Sequence, residues 1–290
     1  MDGQRNQHTI ARPCSVRGRG YWSGLTVDVR LRPAPADTGI RFIRVDQEGH
    51  PSVPAALRCR QSAQYRTTLA TPRTRVEMVE HLLAALYALE VDNCLVEIDG
   101  PELPGLDGSS GPYVEALRSA GLVMQAATRP RIVVDRVLRV GSLAAWVEMS
   151  PSPDGRMHAE YRLDYGPAST IRAQAFGCVI DGSRFTRDLA DARTFVTSDQ
   201  AEQLQAQRLA LHVTERDLVV FDHHGPRTPL RYADEPARHK LLDLVGDLAL
   251  AGCDLVGCFV SYRGGHQLNA ELASQLLHLQ QAGNLRRLVA

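Results

Sequence analysis

Along residues 26–31 apolar side chains alternate with charged ones, the two-residue period of a strand with one buried face. A second such run at residues 40–45 follows the turn-forming cluster Pro33-Ala34-Pro35-Ala36-Asp37-Thr38-Gly39, so a strand, a loop and a strand are expected. The period then changes. Val76, Val79, Leu82, Leu83, Leu86 and Leu89 recur every three or four residues with no Gly or Pro among them, which predicts a helix running directly into a strand at residues 94–98. A Gly/Pro-rich loop at residues 101–112 and a shorter helix at residues 113–120, ended by Gly121, complete this half, and residues 126–130 read as a linker. The second half opens on strand-like runs at residues 131–134, 144–149 and 158–163. A helix from about residue 235 to 251 again leads into an apolar strand, residues 254–262. The two halves share this order, and Asp-Gly-Ser occurs at Asp107 and again at Asp181. A duplicated α+β fold is therefore expected, with two similar two-layer α/β sandwich domains, residues 1–126 and 127–290, sharing a cleft.

The length of 290 residues agrees with two domains at roughly 100–200 residues each. With 44% hydrophobic and 23% charged residues, disorder and membrane spanning are both excluded. The most apolar stretch, residues 241–260, carries Asp243, Asp247 and Asp254, which a bilayer would not tolerate. Basic and acidic residues balance at 33 each, so no global positive field exists to hold a nucleic acid backbone, although a local basic pocket is still compatible. The six cysteines include no C-x-x-C pair, which removes zinc-ribbon and thioredoxin-like readings. Residues 1–20 are polar and Arg-rich with no apolar segment to act as a signal peptide, so reduced thiols and a cytoplasmic location are expected.

Chemistry concentrates in a few places. His239, Asp243 and Asp247 are spaced i, i+4, i+8, so all three project from one helix face. Imidazole and carboxylate one turn apart suit Zn²⁺; the same spacing also describes a solvated polar stripe with an ordinary charge pair. Glu80 and His81 lie in an otherwise apolar helix, where a buried carboxylate is costly unless paired or given a task. If His81 were a ligand, Glu80 would stand beside the metal without binding it, placed to take a proton from water; the alternative is a hydrogen-bonded core histidine. His266 follows a strand on the double-glycine turn Gly264-Gly265, where it faces either a cleft or solvent. Ala192-Arg193-Thr194-Phe195 offers a hydroxyl donor and an aromatic wall, and is otherwise an ordinary loop.

Taken together and in order, six segments resemble the UDP-3-O-acyl-N-acetylglucosamine deacetylases, zinc amidases of lipid A synthesis. They are Pro33-Ala34-Pro35-Ala36-Asp37-Thr38-Gly39-Ile40, Val79-Glu80-His81-Leu82-Leu83-Ala84-Ala85-Leu86, Asp107-Gly108-Ser109-Ser110-Gly111-Pro112, Ala192-Arg193-Thr194-Phe195, His239-Lys240-Leu241-Leu242-Asp243 with Gly246-Asp247-Leu248, and Gly265-His266-Gln267-Leu268-Asn269. The resemblance implies two similar domains with the active site between them, and one Zn²⁺ held by His81, His239 and Asp243, with Fe²⁺ as an alternative ion. It further implies Glu80 as general base and His266 as the protonated partner that stabilises the oxyanion or protonates the leaving amine. Asp247 would orient His266, and Thr194 would donate to the oxyanion. Lys240 and Arg263 would lie near the diphosphate or sugar, and Phe195 would form part of the substrate wall. The partner is then an acylated UDP-amino sugar, with no nucleic acid and no transmembrane segment, and the chain is expected to be a monomer.

The chain also departs from the pattern it resembles. The family usually has Gly-x-Gly-Leu-His-Ser-Gly near its start, where this chain has Gly18-Arg19-Gly20-Tyr21-Trp22-Ser23-Gly24. After Phe195 come Val196-Thr197-Ser198 instead of Gly-Phe. Leu211-His212-Val213 falls where a Gly-Gly-Ser motif is usual, and Arg263 replaces a lysine. Two other readings follow: the same amidase chemistry on a different acylated amino sugar or nucleotide sugar, or a catalytically silent metal-binding protein. An intact Glu80 and His266 disfavour the latter, since binding alone needs neither a base nor an acid.

Overall fold

The computed structural model describes residues 4–283 and 286–288. With strands numbered in chain order, the first alternating run forms β3 (Thr26–Pro33), whose Val27, Val29 and Leu31 are buried while Thr26, Asp28 and Arg30 face solvent. It belongs to a five-stranded sheet in the order β2 (Cys14–Arg19), β3, β9 (Cys94–Ile98), β4 (Ile40–Arg44), β5 (Ser52–Pro54). Only β9 and β4 run parallel; the other neighbours are antiparallel. α1 (Glu80–Ala88) leads into β9, and α2 (Gly111–Ala120) follows it.

The second half repeats this plan strand for strand. β12 (Leu138–Gly141), β13 (Trp146–Ser150), β19 (Asp254–Tyr262), β14 (Met157–Leu163) and β15 (Gln174–Val179) pair in the same order, and again only the third and fourth, β19 and β14, are parallel. α5 (Glu235–Leu248) passes through a 3₁₀ turn into β19, and α6 (His266–Gln281) follows it as α2 follows β9. The duplication is thus one of topology. The two Asp-Gly-Ser tripeptides do not mark it: Asp107 lies between β9 and α2, whereas Asp181 lies between β15 and α5. Each closes a local turn instead. Asp107 accepts from the Ser109 amide at 3.1 Å, and Asp181 accepts from the Arg184 amide at 2.8 Å at the start of the short α3 (Gly182–Arg184).

Each unit carries an insert at the equivalent point, between its last sheet strand and its long helix. In the first it is the small sheet of β6 (Arg60–Gln61), β7 (Thr68–Thr71) and β8 (Thr74–Glu77). In the second it is α3 with β16 (Phe195–Thr197), α4 (Ser198–Ala206), β17 (Val219–Asp222) and β18 (Gly225–Pro226). Two further pairings tie the ends of the chain: β1 (Asn6–Ile10) with β10 (Leu122–Thr128), and β11 (Arg131–Val133) with both β19 and β20 (Arg286–Leu288).

Three expectations need correction. The helix predicted from Val76 starts at Glu80, because Val76 fits a strand period equally well and faces inward from β8, and Met78 at φ +61° turns the chain before the helix begins. Residues 126–128, expected as linker, lie in β10, whose pairing with a strand more than 110 positions earlier leaves no local signature. His266 is not on an open turn but is the first residue of α6, a helix missed by the sequence reading.

The two units meet helix to helix. α1 packs along α5, and only Tyr87 of α1 is not fully buried. Closest approach falls at Gly246, where a Cβ would lie 2.2 Å from the Glu80 carbonyl oxygen, so the absent side chain lets the first turn of α1 sit on the backbone of α5.

Candidate metal centre and active site

α1 begins at the point where it crosses α5, and that crossing brings its first two residues against the polar face of α5. The i, i+4, i+8 set of His239, Asp243 and Asp247 is therefore buried, not a solvated stripe. His81 Nε2 lies 3.7 Å from Asp243 Oδ1, and His239 Nε2 lies 3.5 Å from the same oxygen. One ligand atom from each of the three lies within 4.8 Å of the others. Ligands on a tetrahedral Zn²⁺ stand roughly 3.4 Å apart given bonds of about 2.0–2.1 Å, so the separations fit such an ion.

The imidazoles are held ready as neutral donors. His239 Nδ1 donates to the Ala192 carbonyl at 3.0 Å, which fixes the tautomer and leaves Nε2 facing Asp243. Ala192 is itself held in place because Arg193, next in sequence, is locked to the buried Glu235 at 2.8 Å. Ser110 donates to the His81 carbonyl at 2.7 Å, so the Asp-Gly-Ser-Ser loop anchors the start of α1. Burial pulls the His81 imidazole down to about 3, aided by His239 nearby, and burial also lowers His239. Burial alone would raise Asp243, but Lys240, 2.9 Å from its Oδ2, and the surrounding histidines hold it well below the usual carboxylate range. Lys240 is raised in turn, since the pull of Asp243 outweighs its own burial.

Glu80 faces this group without joining it. Its Oε2 accepts from the Thr67 amide at 3.0 Å, and its Oε1 lies 4.0 Å from His266 Nε2. Burial, reinforced by Asp243 and Asp247, pushes the Glu80 carboxyl up to about 7 despite the opposing pull of His266. His266 behaves oppositely: burial disfavours its charged form, but Asp247 Oδ2 at 2.8 Å from Nδ1, with Glu80, takes it up to about 9. Asp247 is held by Thr67 Oγ1 at 2.5 Å and Asn269 Nδ2 at 2.8 Å. The site thus sets a carboxylate whose proton is held more tightly than usual opposite an imidazole whose charged form is favoured.

Thr67 and Asn269 are side chains of this site that the motifs alone do not single out. Asn269 stands one turn after His266 within a quoted motif, a retrievable signal, whereas nothing local distinguishes Thr67 in its polar segment. Thr194, Phe195 and Lys240 line the same cavity as the histidines and Glu80. The same cavity also has an apolar part, the apolar arm, to which Val196, Leu204, Val213 and Leu218 contribute from the insert of the second unit and Tyr21, Trp22 and Met78 from the first unit. Arg263 lies on the exposed turn between β19 and α6, outside the cavity lining.

Comparison with known proteins gives a consistent picture. Residues 7–278 match the family model described as UDP-3-O-acyl N-acetylglycosamine deacetylase. Proteins named UDP-3-O-acyl-N-acetylglucosamine deacetylase from Brucella ovis, Brucella melitensis and Brucella suis are each 40% identical over 274 residues, covering 93% of this chain and 95% of theirs.

Proposed function

The chain belongs to the UDP-3-O-acyl-N-acetylglucosamine deacetylase family, and from that premise we propose that the buried His81, His239 and Asp243 hold its catalytic metal. It is a metal-dependent hydrolase that removes the N-acetyl group of UDP-3-O-acyl-N-acetylglucosamine, giving UDP-3-O-acyl-glucosamine and acetate, in lipid A biosynthesis. The ion we assign is Zn²⁺, with Fe²⁺ as the alternative, since two imidazoles and one carboxylate suit either. When bound, it polarises the amide carbonyl and makes water a stronger acid.

The chain's own residues supply the rest. An amide needs an attacking oxygen, charge stabilisation on the tetrahedral oxygen, and a proton for the departing nitrogen. Glu80 accepts the proton of the attacking water. Thr194 donates a hydrogen bond to the developing oxyanion, and His266, held protonated by Asp247, stabilises that oxygen or passes its proton to the leaving amine. Lys240 from the cavity lining, and Arg263 from the exposed turn outside it, bring positive charge toward the diphosphate, Phe195 walls the sugar, and the 3-O-acyl chain takes the apolar arm. The observation that carries this reading is one cavity lined by His81, His239 and Asp243, by Glu80, and by His266, whose Nδ1 lies 2.8 Å from Asp247.

Among the described residues no helix is long and apolar enough to cross a membrane. We place the enzyme in the cytoplasm as a monomer, with its two units dividing after β10, between Thr128 and β11.

Acetate release from the acylated nucleotide sugar tests the assignment. Glu80→Gln should lower kcat by about 10²-fold or more with metal content unchanged. His239→Ala and Asp243→Ala should lose the metal on dialysis against a chelator. A Glu80→Gln protein with the parent kcat, or ligand variants keeping one equivalent of metal, would refute the assigned roles.

A further inference from the structure

The loop at residues 20–24 and the segment at residues 210–218 come from opposite halves of the chain and are fastened together at two points. His212 Nε2 lies 2.6 Å from the Gly20 carbonyl oxygen, so Nε2 carries the proton and donates. The Tyr21 hydroxyl donates to the Asp217 carbonyl. Gly24 has φ +68°, and a Cβ there would lie 2.9 Å from His212 Nδ1, so only glycine lets the imidazole rest against the loop.

Both partners are stiffened from behind. The buried Glu102 carboxylate accepts from the Trp22 amide at 2.9 Å and the Ser23 amide at 2.8 Å. The Asp217 carboxylate accepts from the Thr214 amide at 2.7 Å and its hydroxyl at 2.9 Å. Tyr21 and Trp22 from the loop, and Val213 and Leu218 from the segment, wall the apolar arm, while His212 itself is not part of the lining. Trp22 and His212 are also two of the positions at which this chain departs from the motifs it resembles, and here the segments carrying them are bonded to each other.

We propose that His212 is a positioning residue for the acyl end of the substrate. With Tyr21 it latches residues 210–218 to the loop, so that the apolar arm is formed before substrate arrives. A preformed wall spares the ordering of two loops on binding. The acyl chain takes no part in bond making at the amide, so weaker holding of it affects ground state and transition state alike and is read in KM. The inference rests on the acylated substrate assigned above.

KM and kcat are measured for the parent, His212→Ala and His212→Gln with UDP-3-O-acyl-N-acetylglucosamine, and with UDP-N-acetylglucosamine, which lacks the acyl chain. His212→Ala should raise KM for the acylated substrate about tenfold, the scale of one lost hydrogen bond with its ordering, and leave kcat within about twofold. It should leave kcat/KM for the unacylated compound unchanged, and His212→Gln, whose amide restores the donor, should recover most of the loss. Equal losses on both substrates, or none on either, overturn the proposal. Turnover by the parent tests the underlying reading separately, and a second readout needs no turnover. In a Trp146→Phe background Trp22 is the single tryptophan, and quenching of its fluorescence by acrylamide should increase with His212→Ala but not with His212→Gln. Equal quenching in all three proteins also overturns the latch.

Discussion

His266 shows how two neighbouring carboxylates set the charge of a buried side chain. Its pKa is raised to about 9 despite burial, because Asp247 and Glu80 face it. A group raised in this way contributes stability that is complete below its ordinary value of about 6.5 and is lost as pH rises through 9. For the chelator-treated protein, we expect His266→Gln to be less stable than the parent by roughly 3 kcal/mol near pH 6, with the gap closing between pH 7 and 10. Urea denaturation across that range measures it, and a gap independent of pH would mean that His266 is not charged in the folded protein. The residue types at this site were legible from spacing and motif alone, as His239 and Asp243 illustrate. Thr67 was not. It joins Glu80 to Asp247 from a polar stretch that only the turn into β7 carries to the site.

At the level of elements, the separation of α1 and α5 sets the spacing of the proposed metal ligands. His81 comes from one helix and His239 and Asp243 from the other, and Gly246 decides how closely they approach. Gly246→Ala would gain roughly 1 kcal/mol in an isolated helix, so a loss identifies packing as the cause. We expect a net destabilisation of about 1–3 kcal/mol from overpacking, with metal affinity reduced as His81 is displaced from Asp243. Thermal unfolding and competition with a chromogenic chelator measure the two effects; unchanged affinity would show that the crossing does not govern the ligand spacing. α1, β9, α5 and β19 were all readable from periodicity, whereas the start of α1 was not, because Val76 satisfies helix and strand periods at once.

Across the whole molecule, the two units are also joined far from the active site by a cluster of ion pairs. Asp92, which follows α1 and is nearly fully buried, receives Arg5 at 2.6 Å and Arg129 at 3.0 Å. Arg5 also reaches Asp254, the first residue of β19, at 2.8 Å. Removing the shared carboxylate leaves two guanidinium groups partly buried without their main partner. Asp92→Ala should therefore cost roughly 2–4 kcal/mol, somewhat below the fully buried case because 22% of the Arg5 side chain remains exposed. Equilibrium denaturation should show that loss while metal stoichiometry stays at the parent value. Stability within 0.5 kcal/mol of the parent would show that this cluster does not hold the units together.

Residue order alone decided the α+β class, the repeated sequence of long helix and central strand, and the chemical character of the site, because each depends on spacing within one element or on a short motif. It did not decide where the two halves divide, since β10 draws its partner from β1. Nor did it reveal that the inserts occupy equivalent places, or that the carboxylate of Glu80 is pushed up to about 7 while the imidazole of His266 is taken up to about 9. These depend on distances between groups remote in the chain. Burial and charge act through space, so only the packing of α1 and α6 on α5 could set the last two.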